Sequence, residues 1–92
     1  MNLSTEMLDF VRFLGVQIGF YPDHYQPTAN ARALVYASLE NYRRKYITPD
    51  RQEEFYTIAV AALSDGEAEG KQNNLEAKAL VEANRSKAKL AA

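Results

Sequence analysis

Apolar side chains recur every three or four residues through the first twenty positions of this 92-residue chain. Because this spacing gathers them on one side of an α-helix, it predicts a helix over about residues 3–21 that faces a core. A strand-like alternation begins at residue 15, but no second strand-like segment is available to pair with it, so a helix is the better interpretation. The predicted core-facing stripe consists of Leu3, Met7, Phe10, Val11, Leu14, Ile18 and Tyr21.

The opposite face of this first helix is also partly apolar. Phe13, Val16 and Phe20 lie there beside polar residues, and Tyr21 and Tyr25 carry the apolar character into the following loop. A contiguous exposed apolar patch marks a partner site. We therefore predict an interface at these five residues, with a second copy of the chain or another protein, unless a later segment of the same chain covers them.

A second helix is predicted over about residues 29–46. It follows a proline-containing loop, because Pro22 and Pro27 each disfavour a helical conformation in the preceding residue. Thr28 or Asn30 is expected to be the N-cap, since either side chain can accept a hydrogen bond from the first turn.

The tripeptide Thr48-Pro49-Asp50 is the strongest local signal in the chain. Thr48 suits the N-cap, Pro49 the first helical position and Asp50 the positive end of the helix dipole. These residues predict a third helix that runs to about residue 63, where Gly66 would supply a left-handed C-terminal cap.

The remainder of the chain predicts a weaker helix. Residues 67–74 are polar and are interpreted as a connection, and a helix rich in Ala, Lys and Glu follows over about residues 75–90. Its apolar residues fall on two opposed patches, so we expect it to dock loosely or to project. The predicted fold is all-α: a core domain of three well-formed helices over 1–66, the connection, and a C-terminal helix over 75–92.

Composition excludes several classes of function. The chain has no cysteine, which removes thiol nucleophiles and cysteine-based zinc sites and favours a cytoplasmic over a secreted protein. Its net charge of −1 argues against a general nucleic-acid coat. The first apolar segment lacks a basic leader and is interrupted by Arg12 and Gln17, so neither a signal peptide nor a membrane partner is predicted.

The chain offers little for catalysis. His24 is its one histidine and lies beside Asp23 in a predicted surface turn. Side chains adjacent in sequence rarely face each other as a base and its orienting carboxylate do, and no motif places a nucleophile. We therefore predict a protein that is not an enzyme and that has no cofactor.

One segment resembles the calcium loop of an EF-hand. Between residues 65 and 76, oxygen-bearing side chains occupy loop positions 1, 3, 5, 9 and 12, and a glycine occupies position 6. The segment departs from that pattern because glutamates stand where shorter side chains normally fit, and no second loop is present. A calcium-binding regulator is an alternative hypothesis, with the candidate ligands Asp65, Glu67, Glu69, Asn73 and Glu76.

A second alternative is a weak nucleic-acid binder. Arg43, Arg44 and Lys45 form a basic cluster between Tyr42 and Tyr46, and such clusters bind phosphates while aromatic rings stack on bases. The helical period, however, places both tyrosines on the core side and the arginines on the outer side. Rings and charges are therefore not predicted to share one surface.

The G-x-x-x-G spacing at Gly15 and Gly19 has two interpretations. It either ends the first helix or forms a notch that admits the second helix or a partner. Taken together, these patterns favour a protein-protein interaction module, such as a small regulatory inhibitor or adaptor. We expect it to form a homodimer through the outer face of its first helix.

Overall fold

A computed structural model describes residues 4–21 and 24–91 of the chain. The described residues contain no strand, so the all-α prediction is confirmed. The secondary structure consists of α1 (Thr5–Phe20), α2 (Gln26–Tyr46), a 3-10 turn (Pro49–Arg51) and α3 (Gln52–Ala91).

The first helix is α-helical to its end, including the residues from position 15 onward whose alternation is also compatible with a strand. Ser4 caps its start, because the hydroxyl oxygen accepts a hydrogen bond from the Met7 amide at 3.1 Å. At the other end, the Tyr21 amide donates to the Gln17 carbonyl and closes the last turn. Leu3, the first member of the predicted stripe, lies outside the described residues.

The second helix begins three residues earlier than predicted. Tyr25 occupies the N-cap position and Pro27 lies in the first turn, where a missing amide hydrogen is harmless because first-turn amides have no partner within the helix. Thr28 is buried inside that turn. The prediction of Thr28 or Asn30 as the N-cap is therefore wrong, because Pro27 lies inside the first turn instead of preceding the helix. Of the preceding turn, Pro22 and Asp23 lie outside the described residues.

The third helix is much longer than predicted. It starts close to the Thr48-Pro49-Asp50 signal, where the Arg51 amide bonds to the Thr48 carbonyl at 2.9 Å and α3 follows directly. It then continues through Gly66 and residues 67–74 to Ala91. The predicted C-terminal cap, the polar connection and the separate fourth helix are therefore wrong. No described glycine has a positive φ, so Gly66 is an ordinary helical residue.

The first and third helices pack side by side in the same direction. Arg12 of α1 lies beside Gly66 of α3, and Phe20 further along α1 lies beside Asn74 further along α3. This packing explains why the glycine-containing stretch does not break α3: α1 supports the helix along the segment whose composition resembles a loop.

The second helix runs antiparallel to α3. Near its start, Arg32 forms an ion pair with Glu67 in the middle of α3 at 3.4 Å. Near its end, the Tyr42 ring stacks on Phe55 near the start of α3, with centroids 5.9 Å apart.

All four glycines of the chain lie where α1 and α3 touch. A Cβ atom placed on Gly15 would lie 2.6 Å from the Leu63 carbonyl oxygen, and one placed on Gly19, Gly66 or Gly70 would lie closer still to a backbone oxygen. Only a hydrogen side chain permits this approach, as in closely packed helix pairs of membranes. The first G-x-x-x-G therefore forms a notch and does not end α1 early, but α3 fills the notch and not the second helix or a partner.

The core lies between the three helices. Val11 and Val35 are fully buried, and within the described residues Thr28 is the buried polar side chain. Tyr21, predicted to face the core, is exposed over almost half of its surface because it lies past the end of α1. The buried apolar side chains are Val11, Leu14, Ile18, Ala31, Val35, Leu39, Ile47, Phe55 and Ala59.

The third helix extends well beyond the end of the first. α1 ends beside Asn74, whereas α3 continues to Ala91 with every side chain from 75 to 89 exposed. At 1.5 Å per residue, residues 75–91 span about 25 Å. We call them the projecting half of α3, and they give the molecule its elongated shape of 64 × 23 × 17 Å.

Candidate protein-interaction surface

Three aromatic rings cluster where α1 turns into α2. The ring centroids of Phe20 and Tyr21 lie 5.1 Å apart, and those of Tyr21 and Tyr25 lie 5.3 Å apart. Edge-to-face and tilted contacts of this kind stabilise the turn, yet almost half of each tyrosine remains exposed. We call these three residues the aromatic corner.

Asn74 connects the aromatic corner to α3. Its amide Nδ2 donates to the Phe20 carbonyl oxygen at 2.8 Å, so a side chain of one helix satisfies the C-terminus of the other. The aromatic corner is thereby continuous with the start of the projecting half. The groove at this junction is lined by Gly19, Phe20, Tyr21, Lys71, Asn74, Leu75 and Lys78.

The projecting half carries large apolar side chains into solvent. Leu75, Leu80 and Val81 are 60%, 65% and 51% exposed. A single exposed leucine is ordinary on a protein surface, but Leu80 and Val81 are neighbours on one side of the helix, and Leu75, on another side, lines the groove beside the aromatic corner. Large apolar side chains exposed this densely mark a candidate binding surface.

A second groove is lined by α1 and α3 alone. Asp9 and Asp65 are exposed along it, while Arg12, which also lines it, contacts Glu69 at 3.4 Å. The groove thus combines an apolar lining with a negative edge, and we call it the acidic groove. Its apolar lining consists of Leu8, Ile58, Ala61 and Ala62.

The five residues predicted as an interface do not form one uniform patch. Three of them form the aromatic corner. Val16 is half-buried because its backbone packs against Gly70, so α3 covers part of the predicted patch. Phe13 remains 60% exposed and lies one turn beyond Asp9, on the same side of α1. Phe13 therefore borders the acidic groove.

The basic cluster on α2 is partly neutralised by a neighbouring carboxylate. Arg43 donates two hydrogen bonds to Glu40, and Tyr56 donates to the same carboxylate at 3.0 Å. These bonds, that from Arg43 above all, lower the pKa of Glu40 from 4.5 to about 2. The bond to Glu40 in turn raises the pKa of Arg43. Arg43 is half-buried, and Arg44 and Lys45 are exposed.

The two tyrosines that flank this cluster differ in their environments. Tyr42 packs on Phe55, whereas Tyr46 is largely exposed although the two tyrosine rings are only 4.9 Å apart. The prediction that both face the core is wrong for Tyr46, because it is the last residue of α2. Both line an open groove of about 650 Å³ between the start of α1 and the end of α2.

The EF-hand-like segment is not a loop. Residues 65–76 lie inside α3, where successive side chains point about 100° apart and cannot wrap around one cation. Glu67 pairs with α2 and Glu69 with α1, while Asp65 lines the acidic groove. The prediction of a ligand loop is therefore wrong.

The remaining candidate metal ligands do not form a site either. Asn73 and Glu76 are exposed on α3, and His24 is exposed in the turn before α2. In the part of the chain that the structure describes, no three His, Cys, Asp or Glu side chains are grouped closely enough to hold a metal ion.

Sequence reasoning missed two of the residues that shape this surface. Gly66 was expected to cap a helix and Gly70 to lie in a loop. The two glycines, however, repeat the four-residue spacing of Gly15 and Gly19. That shared spacing is the signal that identifies two helix faces able to approach closely.

No helix within residues 4–21 and 24–91 is long and apolar enough to cross a membrane. In comparisons with known proteins, no family model, curated protein or solved structure matches the chain.

Proposed function

We propose that this protein is a non-enzymatic protein-interaction module that self-associates. Its interface consists of the aromatic corner and the projecting half of α3, with Phe13 at the edge. The observation that carries the proposal is the exposure of Leu75, Leu80 and Val81 on a helix that extends past the rest of the fold.

The energetics of the projecting half support this proposal. A helix of this length is only marginally stable in water without packing, because most helical stability in proteins comes from a covered apolar face. Leaving Leu75 and Leu80 in water forgoes about 1.5–3 kcal/mol for each side chain relative to full burial. Binding to another protein surface would recover part of that free energy and order the helix.

The small size of the chain also favours self-association. A domain of 92 residues buries a smaller fraction of its surface than a larger one, so association is a common source of additional stability. A small helical chain with an extended apolar arm is suited to the role of an adaptor or inhibitor, whose action consists of binding.

Sedimentation velocity from low to high micromolar concentration tests the proposal. We expect the unmodified chain to form a dimer, and Leu75→Asn/Leu80→Asn to weaken it by about a hundredfold, because each lost contact occurs twice in a symmetric dimer. Val60→Asn is the matched control, since Val60 is an equally exposed apolar residue on α3 outside the projecting half. A chain that remains monomeric throughout, or a double variant that dimerises like the unmodified chain, would contradict the proposal.

A further inference from the structure

We propose that the partner is a second copy bound antiparallel, with the two α3 helices in contact and the basic end of each projecting half at the acidic groove of the other. This inference rests on the proposed function and specifies its interface. The two surfaces are complementary in charge.

The charges of the two surfaces are opposite. The acidic groove is edged by Asp9 and Asp65, and the charge of Arg12 beside them is balanced by Glu69. The chain beyond residue 74 has a net charge of +2, whereas the whole chain has −1, so residues 1–74 carry −3. The charged side chains of the projecting half are Glu76, Lys78, Glu82, Arg85, Lys87 and Lys89.

One face of α3 changes from acidic to basic along the helix. Residues eighteen positions apart are separated by about five full turns and therefore share a face. In an antiparallel pair that crosses near Glu76, Lys87 of each copy lies opposite Asp65 of the other. The face in question carries Ala62, Asp65 and Glu69 in the packed half and then Leu80, Ala83 and Lys87 in the projecting half.

The register of this pair brings the charged ends together. When the two copies cross at Glu76, residues 75–91 of each α3 lie opposite residues 61–77 of the other. The end of each projecting half therefore reaches Ala62 and Asp65, which line the acidic groove.

A nucleic acid fits this surface less well. The carboxylates of Asp9 and Asp65 would repel phosphates, and Glu82 contacts Arg85 at 3.7 Å within the basic arm itself. The rings of the aromatic corner pack on one another, which leaves less of their faces for stacking on bases.

Charge reversal tests this arrangement in the full chain. We expect the groove variant Asp9→Lys/Asp65→Lys and the arm variant Lys87→Glu each to weaken the dimer by at least about tenfold, because every reversed contact occurs twice. A mixture of the two variants should form a heterodimer, since each groove then faces an arm of opposite charge. Glu76→Gln should tighten the dimer, because Glu76 lies at the crossing point and meets its own copy there.

Arg44→Glu/Lys45→Glu is the matched control, because it reverses two exposed cations outside the proposed contact and should leave the dimer unchanged. Circular dichroism would establish that each variant remains helical. The inference is overturned if both charge variants dimerise like the unmodified chain, or if their mixture forms no heterodimer. Retention of a single-stranded oligonucleotide by the unmodified chain, lost in the arm variant while dimerisation is kept, would also overturn it.

These outcomes separate the inference from the proposed function. If the dimer is sensitive to Leu75→Asn/Leu80→Asn but not to either charge variant, the protein self-associates through its projecting half in a different arrangement. If the unmodified chain does not associate at all, the proposed function fails and the inference fails with it.

Discussion

Gly70 shows how much a single missing methyl group can determine in this protein. A Cβ atom on Gly70 would collide with backbone atoms of Val16 and Phe20, which cannot move separately from α1. Glycine weakens a helix by about 1 kcal/mol relative to alanine, so its presence in the middle of α3 is unfavourable locally. The close contact with α1 is what offsets that cost.

We expect Gly70→Ala to lower the free energy of unfolding by about 2 kcal/mol, despite the better helix propensity of alanine. The two helices must separate to admit the methyl group, and overpacking of this kind typically costs about 1–3 kcal/mol. Chemical denaturation measures the change. Ser64→Ala, at an exposed position of the same helix, is the control and should be neutral; a neutral or stabilising Gly70→Ala would contradict the contact.

Glu40 provides a prediction about pH. Its pKa is lowered to about 2, so its contribution to stability is complete above pH 4.5, declines as the pH falls, and is lost below about pH 2. A carboxyl-detected NMR titration should find the Glu40 midpoint near the lower value. Arg43→Gln removes the principal cause and should move the midpoint back towards 4.5, whereas Arg44→Gln should move it much less. An ordinary midpoint in the unmodified chain would contradict the hydrogen bonds from Arg43 and Tyr56.

At the scale of helices, Asn74 marks the point where α3 changes from a packed to a projecting helix. Its side chain satisfies the Phe20 carbonyl at the end of α1 and is the last half-buried side chain of α3 before the exposed stretch. The helix itself continues without interruption, so the transition lies in its surroundings rather than in its backbone.

We expect Asn74→Ala to destabilise the protein by about 1 kcal/mol, the usual contribution of one intramolecular hydrogen bond. The loss should fall on the end of α1, and amide hydrogen exchange should show faster opening around Phe20. Asn73→Ala removes the same side chain from the exposed neighbouring position and serves as the control. Equal effects of the two substitutions would show that the bond to Phe20 contributes nothing.

The start of α3 could be predicted better than its long middle. Thr48-Pro49-Asp50 is a local signal, because caps and proline act within one turn, and the structure begins its helical turn there. Residues 66–74 could not be assigned from local rules, since Gly66 and Gly70 resemble breaks unless α1 is known to lie against them. The ion pairs of Glu67 and Glu69 with other helices are likewise contacts between residues far apart in sequence.

In the candidate surface, too, the parts formed by residues close in sequence could be predicted, and the parts formed by distant residues could not. The aromatic corner could be predicted, because Tyr21 and Tyr25 are close in sequence and both lie in the connection between α1 and α2. The acidic groove was not, because Asp9 and Asp65 become neighbours only through the parallel packing of α1 and α3.

For the molecule as a whole, the continuous α3 leads to a prediction about calcium. A ligand that binds only the native state raises its melting temperature, but residues 65–76 form no loop that could surround a cation. We expect millimolar calcium to leave the melting temperature unchanged, with millimolar magnesium as the control for ionic strength. A clear increase specific to calcium would show that this segment can leave the helix and form a site.

The parallel contact between α1 and α3 also governs when the protein can fold. Gly15 meets Gly66 and Gly19 meets Glu67, each about fifty positions later, so the contact cannot form until the first half of α3 has been synthesised. Contacts between distant residues slow folding, and helical proteins usually rely on nearer ones. On the ribosome, α1 therefore remains unpacked against α3 until α2 and the first half of α3 have emerged. During that time the apolar face of α1 is exposed, and contact with other unfinished chains would compete with folding.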